Sequence, residues 1–192
     1  MATTAPRGWG FEPARRAGLF AVTAALLAGC TPRPSAPALT DEPVYQNEQE
    51  GFRFLAPDGW KQQARSNLPP GKTAEERRLV EYQRPPAGKP ATFEVSLVDL
   101  PEDTSLATYL GRRWSRSDQA RLKSGPDKLD VGGAPAVRLA FALRREGDDL
   151  TREVTAFRRG ERVYFFTGTF PARDPAARDQ VRRAVASVVW RR

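Results

Sequence analysis

The residues Val163-Tyr164-Phe165-Phe166-Thr167-Gly168-Thr169-Phe170 form the stretch that decides the fold of this chain. Side chains alternate between the two faces of a strand, and here both alternating sets are apolar or small. A strand of this kind must be covered on both faces. The sequence therefore predicts a sheet that has this strand in its middle and further elements packed on either side.

Shorter strands are predicted on the N-terminal side of this stretch, where apolar residues alternate with polar ones between turn residues. Phe93, Val95 and Leu97, for example, share one face of a strand. Gly132-Gly133 permits the positive φ of a two-residue hairpin turn, so consecutive strands are expected to be antiparallel. The predicted strands cover residues 51–56, 60–66, 79–83, 92–98, 129–131, 136–144, 150–158 and 163–170.

Two segments have helical spacing instead. The first helix is predicted from Thr104 to Ser115, with Asp103 or Thr104 as its N-cap. The second begins at Asp174-Pro175, a capping residue followed by proline at the first helical position. Its apolar stripe should face the sheet and comprises Ala177, Val181, Ala184, Val185 and Val188. Its arginines should point outward and are Arg178, Arg182 and Arg183. Hairpin strands with two helices indicate the α+β class.

The N-terminus has the charge-then-apolar order of a secretory signal. Arg15-Arg16 precedes an apolar run from Ala17 to Leu27. This run is shorter than the about 20 apolar residues that cross a bilayer as a helix, and a proline-rich segment follows it. Removal of the segment after export is therefore the preferred interpretation. The pair Arg15-Arg16 resembles part of a twin-arginine export signal, but the usual flanking residues of that signal are missing. General secretion is therefore the expected export route.

The order Leu27-Ala28-Gly29-Cys30 resembles the lipobox of bacterial lipoproteins. This resemblance implies cleavage before Cys30, a diacylglyceryl thioether on its sulfur, and further acylation, for example with palmitate. Cys30 is the only cysteine and has no disulfide partner in the chain, although a buried free cysteine is the alternative. The expected organisation is a signal peptide (1–29), a lipidated cysteine with a proline-rich tether (30–43) and one globular domain (44–192).

The net charge is +8, and the signal peptide contributes three arginines and one glutamate, which leaves +6 for the mature chain. Such a charge favours contact with anionic lipid headgroups, an anionic envelope polymer or an acidic protein. The basic residues are mixed with 23 acidic ones, which is typical of solvated faces. No nucleic-acid-binding module is present, and export also argues against that partner.

The globular part resembles the PsbP-like superfamily over about residues 44 to 190. The residues that carry the resemblance are Gly51-Phe52-Arg53-Phe54, Pro57-Asp58-Gly59-Trp60, Val131-Gly132-Gly133-Ala134-Pro135-Ala136 and Ser187-Val188-Val189-Trp190. It implies an α/β/α sandwich around an antiparallel sheet of about six strands. It also implies an accessory or binding role rather than catalysis. Some members of this superfamily serve photosystem II and have metal and chloride roles there. These roles do not carry over to this chain, because no ligand position matches.

Catalytic chemistry is limited by composition. The chain has no histidine, which excludes Ser-His, Cys-His and His-metal arrangements. Two acidic groups remain as weak Ca²⁺ candidates, although solvated turn acids are the expected outcome. They are Glu42, Glu48 and Glu50, and Asp148 with Asp149. No cofactor and no metal site are therefore expected.

The expected function is a non-catalytic accessory or binding protein of the cell envelope, held to a membrane by lipid and facing the periplasm or the exterior. Its partner should be another envelope protein or polymer. An envelope hydrolase would need two carboxylates facing one pocket. A carrier of a small apolar ligand would need an enclosed cavity of several hundred Å³. Five aromatic residues, expected mainly in the core, are the candidates for lining a pocket: Tyr45, Trp60, Tyr82, Trp114 and Trp190.

Overall fold

The computed structural model describes residues 43–65, 75–85, 91–116 and 120–191. The predicted signal peptide, Cys30, Glu42 and nearly all of the tether lie outside these residues. Within them, no helix is both long enough and apolar enough to cross a membrane.

Ten strands and two helices are formed by the described residues. In chain order they are β1 (Val44–Asn47), β2 (Phe52–Leu55), β3 (Lys61–Arg65), β4 (Arg77–Gln83), β5 (Thr92–Asp99), α1 (Leu106–Arg116), β6 (Arg121–Val131), β7 (Ala134–Arg145), β8 (Asp148–Arg159), β9 (Arg162–Pro171), α2 (Pro175–Ala186) and β10 (Val189–Trp190). Seven strands form one sheet in the order β3-β4-β5-β9-β8-β7-β6, and each described pairing is antiparallel. A smaller sheet has the order β1-β2-β10.

The aromatic stretch forms β9, the fourth of the seven strands, as predicted. Val163 and Phe165 belong to the core on one face, whereas Tyr164, Phe166 and Phe170 belong to the core on the other. The first core lies under α1, and the second lies under α2 and the small sheet. The α+β class and the sheet between helices are therefore confirmed, with seven strands in the large sheet where about six were expected.

The edge strand β6 is much longer than its predicted part, residues 129–131. Most of its side chains are exposed, and its pairing with β7 shifts register between Leu122 and Asp127. An edge strand of this kind buries neither face fully, so it lacks the alternation by which strands are recognised. Pro126 lies within this irregular region of β6. Proline has no backbone N–H to donate to a neighbouring strand, and that loss is tolerated in an edge strand.

Both helices pack on the sheet by apolar stripes. Asp174 caps α2 as predicted, accepting a hydrogen bond of 2.9 Å from the Ala177 amide. The start of α1 differs from the prediction, because Ser105 rather than Asp103 or Thr104 accepts the Thr108 amide, at 3.4 Å.

One of the three arginines of α2, Arg182, departs from the predicted outward orientation, whereas Arg178 remains largely exposed. Arg182 forms two hydrogen bonds of 2.8 Å with Glu153 of β8, and Arg178 lies 3.5 Å from the same carboxylate. Glu153 is 3% exposed, so its charge has to be matched by cations from the helix above it. Arg183 is exposed as expected.

Candidate functional site

The segment that leads into α1 is held by one arginine of the sheet. The Arg158 guanidinium donates hydrogen bonds to the carbonyl oxygens of Leu100 (3.2 Å), Pro101 (3.0 Å) and Thr104 (2.8 Å). Hydrogen bonds from a charged donor are about twice as strong as neutral ones. Arg158 therefore positions the first turn of α1 over the sheet.

The underside of α1 is anchored by aromatic contacts. The Tyr109 ring stacks on that of Phe165, with centroids 5.9 Å apart and an interplanar angle of 7°. The Arg113 guanidinium lies 4.7 Å from the Trp114 ring centroid and pairs with Glu76. Leu110 is fully buried between these contacts. These contacts fix the position of α1 on the sheet.

A groove of about 490 Å³ runs along α1, and we call it the α1 groove. Its described lining residues are Thr104, Ser105, Thr108, Tyr109, Arg112 and Arg113. Four of them present hydroxyl groups and two present guanidinium groups, and no carboxylate is among them. Guanidinium groups match carboxylate and phosphate oxygens, while hydroxyls donate or accept as needed. The groove is suited to a polar, negatively charged occupant.

A second group of charges lies on β4 and β5. Glu81 and Glu94 are directly opposite each other across the two strands, and Arg78 pairs with both carboxylates. Burial raises the pKa of Glu94, an effect that the charge of Arg78 opposes. Ser96 donates a hydrogen bond to Glu76, which pairs with Arg113. The two opposed carboxylates share one guanidinium, and neither lines the α1 groove.

Glu50, one of the acidic candidates, does not behave as the expected solvated turn acid. Its side chain is 6% exposed and accepts hydrogen bonds from Arg162 (3.0 and 3.2 Å) and from the Tyr164 hydroxyl (2.9 Å). Burial and the Glu50 carboxylate raise the pKa of Tyr164. Arg162 also donates a hydrogen bond of 3.0 Å to Asp99, and that bond raises the pKa of Arg162. This network ties the turn after β1 to the centre of the sheet.

The other acidic candidates lie apart from one another. Glu48 pairs with Arg191 near the C-terminus, and Asp149 lies 4.0 Å from Arg144 in a hairpin. The described part of the chain contains no group of three acidic residues placed to hold a metal ion.

The aromatic candidates are used mainly in packing. Tyr45, Trp60 and Tyr82 are buried in the core under α2. Trp114 and Trp190 are half-buried, and each lies 5.0 Å from an arginine, Arg152 and Arg159 respectively. None of the five lines the α1 groove.

The residues that do line the groove were not singled out from the sequence. Thr108, Arg112 and Arg113 have the pattern of an ordinary solvated helix face. The Tyr109 ring both packs on the sheet and borders the groove. The signal available was the absence of acidic residues on this helix, which carries three arginines.

Comparison with known proteins identifies the fold. No family model matches the sequence, and no curated protein matches it either. Among solved structures, cyanobacterial PsbP (CyanoP) from Synechocystis sp. PCC 6803 has a TM-score of 0.58 at 17% identity, covering 82% of this chain and 98% of that one. LpqN, involved in cell envelope biogenesis of Mycobacterium tuberculosis, has a TM-score of 0.57 at 14% identity, covering 77% and 88%. PA94 of Pseudomonas aeruginosa, a protein of unknown function, has a TM-score of 0.50 at 22% identity, covering 78% and 97%. The chain therefore has the PsbP-like α+β fold.

Proposed function

We propose that this chain is a lipid-anchored accessory protein of the cell envelope that acts without catalysis, by binding another envelope component in the α1 groove. The occupant is a negatively charged segment of a protein or polymer. The observation that carries the proposal is the groove itself, which combines about 490 Å³ of space with four hydroxyls, two guanidinium groups and no lining carboxylate among the described residues. Of the two guanidinium groups, that of Arg113 is already paired with Glu76, so Arg112 supplies the charge for an occupant.

A binding role is favoured over hydrolysis by the placement of the acidic residues. Glu81 and Glu94 form the opposed carboxylate pair, but Arg78 pairs with both. General acid and base catalysis needs carboxylates within reach of a substrate. A carrier of an apolar ligand would need an enclosed cavity, whereas the α1 groove is open to solvent.

The location follows from the N-terminal sequence. Residues 1–29 act as the export signal, Cys30 takes the lipid, and residues 30–43 act as the tether of the domain at 44–192. An extended tether of this length spans about 40 Å at roughly 3 Å per residue. LpqN, which has the same fold, is involved in cell envelope biogenesis in its own organism, and this accords with an envelope role here.

Mass spectrometry of the native protein tests the anchor. The expected product begins at Cys30 and carries fatty acyl chains, and Cys30→Ser should release the protein from the membrane fraction. Two or more acyl chains are needed for stable anchoring, at about 0.8 kcal/mol for each buried methylene. A chain that still begins at Met1 and has a free thiol would overturn this part of the proposal.

Site-directed photocrosslinking in the native envelope tests the groove. A crosslinker at Thr108 should capture one defined component, whereas a crosslinker at Asp179 on the exposed side of α2 should not. Arg112→Glu should reduce capture strongly, and Arg183→Glu is the matched control. Equal capture at both positions, or no effect of Arg112→Glu, would contradict the assignment. Replacing Glu81 and Glu94 by glutamine should leave capture unchanged.

A further inference from the structure

A second basic cavity lies on the opposite face of the sheet, among β6, β8 and the start of α2. Its volume is about 150 Å³. The polar residues that line it are Lys123, Ser124, Thr151, Arg173, Asp174 and Arg178. They come from β6, β8, the turn before α2 and α2 itself, which are distant in sequence, so the cavity is a product of tertiary structure.

Two of its cations have no acidic partner among the described residues. Lys123 Nζ lies 3.5 Å from Thr151 Oγ1, and Thr151 is 4% exposed at the floor of the cavity. Arg173 is exposed in the turn before α2. Both charges are therefore available to a ligand that enters from solvent.

The one carboxylate that lines the cavity is already neutralised. Asp174 accepts a hydrogen bond of 2.5 Å from Arg84 and caps α2 through the Ala177 amide. The buried Glu153 behind the cavity is bonded by Arg182, and Arg178 lies 3.5 Å from it. Three cations thus line the cavity against one carboxylate that is itself ion-paired.

We infer that this cavity binds a phosphate group, supplied either as free phosphate or as the headgroup of a phospholipid. Arginine presents a planar fork that matches phosphate oxygens, and lysine adds a point charge. The donors lie on β6, on β8 and in the turn before α2, so they surround the site from several sides. That arrangement suits a tetrahedral oxyanion better than a planar carboxylate. The α1 groove lies on the other face of the sheet. The inference about the phosphate cavity goes beyond the function proposed for that groove and does not depend on it.

The test is a ¹H–¹⁵N chemical-shift titration of the full-length chain in phosphatidylcholine nanodiscs with inorganic phosphate. Shifts should concentrate at the amides of Lys123, Thr151 and Arg173. The double variant Lys123→Gln with Arg173→Gln should weaken phosphate binding about tenfold or more, because two charge-assisted contacts are lost. Both side chains are exposed, so the variant should keep its spectral dispersion and its fold.

Three results would overturn the inference. The first is the absence of localised shifts in the folded wild-type chain. The second is an equal weakening by the control Arg183→Gln, which removes a charge from α2 outside the cavity. The third is acetate binding as tight as phosphate binding. The source of the phosphate is decided by adding phosphatidic acid to the nanodiscs: competition with inorganic phosphate at Lys123 and Arg173 identifies a headgroup, and unchanged titration identifies free phosphate.

Discussion

The close contact of α2 with the sheet at Gly168 predicts a large effect for a single added methyl group, in Gly168→Ala. Gly168 lies in the central strand β9, directly under Val181 of α2. A Cβ at Gly168 would lie 2.6 and 2.9 Å from the two methyl carbons of Val181 and 3.2 Å from its Cβ. Ordinary van der Waals contact between carbon atoms begins at about 3.5 Å. The helix must therefore move away from the sheet, or Val181 must leave its preferred rotamer.

The cost can be estimated from this overlap. Adding a methyl group to a packed core costs about 1 to 3 kcal/mol. Gly168 has ordinary strand geometry, so the added methyl group brings no backbone strain of its own. We expect a loss near the upper end of that range, because both methyl carbons and the Cβ of Val181 obstruct the new atom.

Urea unfolding of the chain, followed by tryptophan fluorescence, measures the change. Val181→Ala removes the two obstructing methyls, so the double variant should be clearly more stable than the sum of the two single effects predicts. Gly111→Ala is the control, because nothing lies within 4 Å of its added Cβ on α1. That change should stabilise the protein by about 0.4 to 1 kcal/mol. A Gly168→Ala protein as stable as wild type, or strictly additive effects, would refute the reasoning.

Three further predictions concern the polar contacts. The pKa of Asp174 is lowered mainly by its hydrogen bond with Arg84, so its stabilising effect is present above the ordinary carboxyl pKa and is lost as the pH falls through the lowered value. Asp174→Asn, which keeps a capping side chain, should therefore reduce the dependence of unfolding free energy on pH below about pH 4, measured by urea titration at several pH values. Glu50→Gln should destabilise the fold by about 1 to 3 kcal/mol in the same assay, because the buried side chain loses its charge-assisted hydrogen bonds while Arg162 keeps its bond with Asp99. Arg158→Met should cost about 1 to 2 kcal/mol and should increase hydrogen exchange at the start of α1, because three carbonyl groups in the segment that leads into this helix lose their donor.

Each of these has an outcome that would contradict it. An Asp174→Asn protein with an unchanged acid profile would mean that its contact with Arg84 does not form in solution. A Glu50→Gln protein within experimental error of wild type would show that the Arg162 network adds no stability. For Arg158→Met, uniform exchange over the whole domain, rather than at α1, would indicate a global effect instead of a local one.

Much of the fold could be predicted because its signals are local. The hairpin at Gly132-Gly133 and the cap at Asp174-Pro175 depend on the conformations of a few neighbouring residues. The aromatic stretch of β9 needs cover on both faces wherever it lies, so its central place follows from composition. β6 could not be predicted in full, because an exposed edge strand has no buried face to mark it.

The functional surfaces were less accessible to such reasoning. Arg112 and Thr108 have the pattern of a solvated helix face, and only the structure shows that they line a groove. Lys123 and Arg173 are 50 residues apart, and only the packing of α2 on the sheet brings them to one cavity. Glu153 and Glu50 have ordinary sequence surroundings, yet both are buried and matched by arginines from other elements.

The sequence by itself determined most of the strands, both helices, the α+β class and the exclusion of histidine chemistry, because periodicity, caps, turns and composition act over short range. It also carries the prediction of export and lipidation at Cys30. Tertiary structure alone decided which charges are buried, which are paired and which are left facing a cavity. Those properties depend on distances between residues far apart in the chain, and such distances exist only once the two helices have packed on opposite faces of the sheet.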